Sequence, residues 1–430
     1  MPPKKIVILG SGFAGVYAYL ELHKQLHNRR DVEITMVSET DSFLFVPLIH
    51  EVATGSLSPS DVLQPIHTLP SCCLRRFVQG HVASVNCDLR EISVTPHRPS
   101  SSTDTAEKEI SAIPYDYLIS GIGSETNFFG VPGAREYALP LKDLSDAVKI
   151  KNRIIEIFEC AEKTTTKEER ADALRFVVVG AGPTGLEIAA EMADYLRHEF
   201  AKAFPSLKGL AEIIIVDGVT DLLPVLNPWF GKKAARILAH KKIVRVLLNT
   251  PIVAITPGGV RTKEKFFPAG TVIWSAGVKA RQLPMTAKKP VNHDERSGRI
   301  MVNAFLQIPA YTEVFIAGDQ AWIRDKENDQ PYPMRAQFAQ REGRVAARNV
   351  ARLMDNRPLE EFAWKDQGII ISLGKGGALA QIYGVRASGP LAWWIYRTVY
   401  ASKILGWRAR ARTVLGWMFD LFLPRDISQL

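Results

Sequence analysis

Short apolar runs, each closed by glycine and followed by helical periodicity, organise the chain. Lys5–Leu9 is the first such run. Gly10-Ser11-Gly12-Phe13-Ala14-Gly15 follows, and the pattern predicts a helix over Phe13–Gln25 and a strand over Glu33–Val37. Further runs predict strands at Glu91–Thr95 and Tyr115–Ser120, with a polar loop over 96–108 between them. A helix from about Leu144 to Glu162 leads into a polar stretch, Thr164–Asp172. The opening pattern then returns: strand Arg175–Val179, turn Gly180-Ala181-Gly182-Pro183-Thr184-Gly185, a helix to about Ala203, and strand Ile213–Val216. Two strand–turn–helix–strand units about 170 residues apart imply an α/β chain with two dinucleotide-binding domains.

The glycines carry chemistry because of their context. Gly10 and Gly180 permit the tight turn, Gly12 and Gly182 let backbone approach a pyrophosphate, and Gly15 and Gly185 let helix and strand pack closely. Each helix N-terminus then presents unpaired N–H groups to the phosphates. An acid for a ribose hydroxyl is expected at the end of the second strand. Ser38-Glu39 fills that place in the first unit and Asp217 in the second. Asp217 precedes Gly218 with no adjacent arginine, which favours NADH over NADPH. Glu187 falls in the first turn of the second helix; it is either an acid favoured by the helix dipole or a group beside the nicotinamide.

Composition narrows the class. The 430 residues are 46% hydrophobic and 23% charged, an ordinary globular balance that excludes disordered and fibrous chains. Four cysteines, Cys72, Cys73, Cys87 and Cys160, show no CxxC spacing, so neither a zinc site nor a redox dithiol is expected. The longest uncharged runs are short, thirteen residues at Phe266–Val278, against roughly 18–20 for a membrane span. The net charge of +9 gains meaning from its location. No Asp or Glu lies between Asp366 and Asp420, a stretch holding Lys375, Arg386, Arg397, Lys403, Arg408, Arg410 and Arg412. Four of the eight tryptophans, Trp393, Trp394, Trp407 and Trp417, lie there too. Gly389-Pro390 should start one helix and Gly406 separate it from a second. Aromatics with cations suit an interfacial helix pair on anionic lipid over residues 388–423; packing on the core or on a dimer partner is the other reading. Nucleic acid is not expected.

Thr312–Asp319 is a strand ending in Gly-Asp, and Thr271–Gly277 a strand ending in small residues. With the two turns, these resemble the two-dinucleotide-domain flavoproteins. That resemblance implies FAD on the first domain with Asp319 at its ribityl chain, and NADH on the second. It also implies a split FAD domain, 1–140 and 293–385, an inserted NADH domain, 141–292, and a C-terminal membrane-association segment, 386–430. Phe43–Gly55, Gly121–Gly130, Gly180–Glu187, Trp274–Gly277 and Phe419–Leu430 are similar to type II NADH dehydrogenases. The resemblance implies a peripheral enzyme passing two electrons from NADH through FAD to a membrane quinone without pumping protons; a homodimer, placed at the cytoplasmic face of the membrane, is expected as well. Glu187 and Gln337 are its candidate catalytic residues. One motif departs: Ala336-Gln337-Phe338-Ala339-Gln340-Arg341 carries Arg341 where the family usually has a second glutamine. Taken alone, residues 334–352 read as a surface helix. Sulfide:quinone oxidoreductases share the fold but need cysteines that the last 270 residues lack. A soluble flavin or ferredoxin reductase, or a flavoprotein that binds NADH as a conformational ligand, stays open.

Overall fold

The apolar runs become strands because they are buried on both faces. In the strand Lys4–Leu9 the last four residues are buried, and so are the last four of Arg175–Val179. Each such Ile or Val contributes roughly 1.5–3 kcal/mol of burial. The computed structural model describes residues 2–70, 74–97, 111–326 and 329–429. Most of the loop expected over 96–108, and Cys72-Cys73, lie outside them.

The chain divides into two compact units. The first comprises Met1–Phe43, Gln64–Glu125 and Val278–Lys365. Its main sheet places five parallel strands in the order Tyr311–Ile316, Tyr117–Ser120, Lys4–Leu9, Val32–Ser38, Leu74–Asn86, and continues antiparallel through Glu91–Pro96 and Ser111–Pro114. Register levels Leu9 with Val37 and with Ser120, and Ser120 with Ile316. The residues that follow those strands therefore gather at one edge, the carboxyl end where such sheets hold ligands. The helices Phe13–Leu26 and Ala336–Met354 pack together closely; a Cβ on Gly343 would sit 2.2 Å from the Ala14 carbonyl oxygen.

The second unit comprises Leu44–Leu63, Thr126–Gly277 and Asp366–Leu430. Its parallel sheet runs Leu139–Pro140, Thr271–Trp274, Arg175–Val179, Glu212–Val216, Val244–Leu247. The hairpin strands Gly368–Ser372, Ala378–Ile382 and Val385–Ser388 form a small antiparallel sheet of their own.

Three expectations change. The polar stretch Thr164–Asp172 contains a helix, Lys167–Ala173, started by Thr166, whose hydroxyl accepts the Glu169 N–H. The helix expected to reach Ala203 does reach it, but not as uninterrupted α-helix: it widens over Leu196–Phe200 between α-helical Pro183–Tyr195 and Ala201–Ala203. The tail does fold as two helices, Pro390–Lys403 and Trp407–Phe422, with Gly389 and Gly406 as their N-caps. Its aromatics and cations are not all turned outward, however. Trp393, Tyr396, Arg397 and Trp417 are buried within the unit. The Arg397 guanidinium lies 3.9 Å from the Trp393 ring centre, pairs with Asp420 at 3.4 Å and donates to the Trp417 carbonyl at 3.0 Å. A guanidinium stacks where an ammonium would not, which is how a cation becomes interior.

Candidate functional site

The first glycine turn follows from space. Gly10 has φ +94°, and a Cβ there would lie 2.5 Å from the Gly121 carbonyl oxygen. A Cβ on Gly15 would meet the Gly10 oxygen at 1.9 Å, whereas one on Gly12 would meet nothing within 4 Å. Two glycines thus close the turn and the middle one leaves its face open. Gly12 caps the helix Phe13–Leu26 without a side-chain bond, so the first N–H groups stay available to an anion. Ser38 turns its hydroxyl to Ser11, 2.8 Å away. Glu39 is exposed and bridges His81 and Arg281, each at 2.7 Å. Burial pulls its carboxyl upward, but those two bonds outweigh it and hold the pKa below the usual value.

Asp319 sits in the turn Gly318–Gln320 at the same sheet edge and accepts the Ser124 hydroxyl. Beneath it, buried Glu342 accepts the Gly318 N–H at 2.6 Å. Burial pushes the Glu342 pKa up to about 8, against the pull of the Gly318 bond. Gln320 is buried too and accepts from the Ser120 hydroxyl and the Ile122 N–H. An open glycine, an uncapped helix and a carboxylate on a glycine turn fit the pyrophosphate and polyol chain of FAD. Gln337, Gln340 and Arg341 are half-buried in the first turns of the helix Ala336–Met354. That helix is not a surface helix: Phe338, Ala339, Glu342, Val345, Ala346 and Asn349 are buried along it.

The second turn repeats the first. Gly180 has φ +119°, a Cβ on Gly185 would lie 2.0 Å from the Gly180 oxygen, and Gly182 is open. Asp217 follows the strand Glu212–Val216, and its carboxylate accepts the Ala181 N–H at 2.7 Å and the Val219 N–H at 3.2 Å. The acid is thereby fixed at the strand end beside the turn, as a ribose partner requires.

Glu187 is half-buried on the helix Pro183–Tyr195 and accepts a long 3.4 Å bond from the Ser372 N–H. Burial pushes its pKa up to about 7; His50 opposes this, and Glu51 and Glu191 add to it. His50 and Glu51 come from the short helix Ile49–Ala53, which packs on the same helix. Among the described residues, the buried His50 Nε2 and Ser372 Oγ have no hydrogen-bond partner. Buried polar atoms left open in this way mark room for a water or a ligand. Glu51 is fully engaged, accepting the Tyr396 hydroxyl at 2.8 Å and the Trp417 indole N–H at 2.6 Å. Burial first, then Glu191, raises its pKa.

Sequence reasoning missed Glu342, His50, Glu51 and Ser372. A signal existed for two of them: Glu342 interrupts an apolar helical stripe, and Glu51 is the one acid in the run Phe43–Ala53. No group of metal-ligating residues is present among the described residues. Cys87 is buried, with its thiol pushed up to about 11 by burial, and Cys160 is exposed.

Comparison with known proteins agrees with this geometry. Residues 4–343 match the family described as pyridine nucleotide-disulphide oxidoreductase. The chain is 31% identical to the type II NADH:quinone oxidoreductase Ndh of Mycobacterium tuberculosis, over 99% of this chain and 90% of that protein. Its fold matches NDH2 of Plasmodium falciparum, solved in complex with NADH, with a TM-score of 0.88, 20% identity and 99% of each chain covered. The sulfide:quinone oxidoreductase of Aquifex aeolicus shares the fold less closely, with a TM-score of 0.74 and 18% identity over 98% of this chain and 96% of that one. By its sequence from end to end, and with two dinucleotide turns built alike, the chain belongs to the type II NADH:quinone oxidoreductases.

Proposed function

We infer that the protein is an FAD enzyme that oxidises NADH and reduces a membrane quinone. The observation that carries this reading is the pair of glycine turns in a chain whose four cysteines include no CxxC pair. FAD, when bound, takes a hydride from NADH and hands two electrons on; with no dithiol to receive them, an external two-electron acceptor must.

The chain's own residues supply position and protons. Asp217 would accept the adenosine ribose hydroxyls of NADH, and a 2′-phosphate there would face a carboxylate, which favours NADH over NADPH. Asp319, Ser38 and the first turn would hold FAD, with Glu39 held nearby by His81 and Arg281. Reducing a quinone to a quinol consumes two protons. Glu187, poised near neutrality beside the open His50 Nε2, is suited to deliver one of them. Gln337 would donate its amide N–H to a quinone carbonyl, with Arg341 about 40° away on the same helical face.

The tail supports membrane association through its outer face alone. Leu391, Trp394, Trp407, Met418, Phe419 and Phe422 are exposed, and so are Arg408, Arg410 and Arg412. No helix among the described residues is long and apolar enough to cross a membrane. The reading is therefore a peripheral enzyme on anionic lipid at the cytoplasmic face. A second copy could cover part of the same apolar row, so a homodimer belongs to the reading as well. The decisive experiment is steady-state NADH oxidation by FAD-loaded protein with and without a soluble quinone. Strong stimulation is expected, and none would overturn the function. Replacing Trp394 and Trp407 with aspartate should abolish liposome binding while sparing FAD content; retained binding would refute the tail as the anchor.

A further inference from the structure

A cavity of about 320 Å³ opens in the second unit, apart from the Glu187 site. The two share the helix Pro183–Tyr195, but Asp194, on the cavity wall, lies seven residues beyond Glu187, about 10 Å along the axis. Arg197, His240, Lys241 and Lys375 line it against that single carboxylate.

The charges do not cancel. Lys241 Nζ pairs with Asp194 at 2.5 Å, and the same carboxylate oxygen also accepts the Lys375 N–H at 2.7 Å. Asp194 is thus spent on Lys241. Arg197 donates to a neutral acceptor, the Lys241 carbonyl at 3.2 Å, and Lys375 Nζ to another, the Asp420 carbonyl at 2.6 Å. The Asp420 carboxylate is itself taken by Arg397 and Arg425. His240 uses Nδ1 on the Arg236 carbonyl at 2.6 Å, leaving Nε2 uncommitted. Among the described residues, Arg197 and Lys375, which line the cavity, thus have no carboxylate partner, and an imidazole stands on the same wall.

The backbone around them is shaped for close approach. Gly374 must be glycine, since a Cβ there would lie 2.3 Å from the Asp194 carboxylate. Gly376, at φ +74°, and Gly389, at φ +75°, have no neighbour within 4 Å of a Cβ position. Gly389 also caps the fourteen-residue helix Pro390–Lys403 without a side-chain bond, so that helix adds its positive end to the same wall. Two cations, an imidazole and an open glycine turn on the wall of one cavity suit a doubly charged tetrahedral oxyanion.

We propose that this cavity is a phosphate-binding site, distinct from both dinucleotide turns, that takes a phosphate ester or free phosphate through Arg197, His240 and Lys375. The phosphate has two possible sources, the headgroup of an anionic lipid under the tail or a soluble phosphate compound. Lys375 touches the C-terminal end of the helix Trp407–Phe422, so occupancy would also compete for the cation that holds that helix end.

The test uses full-length holoenzyme and the double variant Arg197→Gln/His240→Gln. Both side chains are exposed, so FAD content and turnover with soluble quinone should stay at wild-type values. One arm measures inorganic phosphate binding by ³¹P line broadening. The other measures partition onto phosphatidylcholine vesicles with and without phosphatidylglycerol. Loss of about tenfold or more in affinity is expected: in the first arm it assigns a soluble phosphate, in the second a lipid headgroup. Equal binding by wild type and variant in both arms, or no binding by wild type in either, overturns the site.

Discussion

Two carboxyls, Glu342 buried in the first unit and Glu187 half-buried in the second, begin from the same physics and differ in what holds them. Burial is the main cause of both shifts, raising Glu342 to about 8 and Glu187 to about 7. Their hydrogen bonds differ. Glu342 holds the Gly318 N–H at 2.6 Å and so fixes the turn that carries Asp319. Glu187 accepts only a 3.4 Å bond, with the open His50 and Ser372 atoms in its surroundings. A raised pKa alone therefore does not mark a working acid. On the proposed reading, freedom to give up the proton does, which the weakly bonded Glu187 would have and Glu342, tied to the Gly318 N–H, would not.

The largest test of that contrast is Glu187→Gln, which keeps the shape and removes the proton. Quinone reduction should fall about a hundredfold in kcat, with FAD content and the KM for NADH little changed. As a donor, Glu187 must be protonated, so the wild-type rate should decline as pH rises through about 7, and the variant should lose that inflection. Wild-type kinetics in the variant would erase the contrast. Next comes Asp217→Asn, which keeps an acceptor for the Ala181 N–H and removes the charge. The KM for NADH should rise about tenfold while FAD content holds; an unchanged KM would mean that Asp217 only braces the turn.

Glu342→Gln should leave turnover alone and act on stability instead. The folded-state pKa is raised, so the stability from Glu342 is fully present below the ordinary carboxyl value and lost as pH rises through about 8. The variant lacks this dependence. Its melting temperature should overtake that of wild type by several degrees between about pH 6 and 9; parallel curves would show that burial there costs nothing. The smallest effect belongs to the exposed Glu39. Glu39→Gln removes two solvent-screened pairs and should lower the melting temperature by about a degree or less, with FAD retained. A marked FAD loss would support Glu39 as the ribose partner that its place after the second strand predicts.

Both glycine turns were legible because their information is local. Strand, turn and helix follow one another within about 25 residues, and the steric demand on Gly15 or Gly185 comes from a residue five positions earlier. The tail helices were legible in the same way, from Gly389 and Gly406. What escaped depends on distant partners. Glu51 looks like any acid in an apolar run until Tyr396 and Trp417 arrive from 345 and 366 residues away. Arg397 has the composition of a lipid-facing cation, and only the folded unit shows it between two indoles and a carboxylate. The sequence also made Gln337 and Glu187 candidates, but not that the second stands among polar atoms with nothing to bond.

The bond between the Trp417 indole and Glu51 gives the molecule an optical gauge. Indole emission shifts in colour and yield with the charge beside its N–H, so the fluorescence of this one ring should register each change of proton at Glu51. Tyr396, hydrogen-bonded to the same carboxylate, can quench or donate energy to it. A single-tryptophan version of the enzyme would let the electrostatics around Glu187 be followed by light during turnover, with no label added.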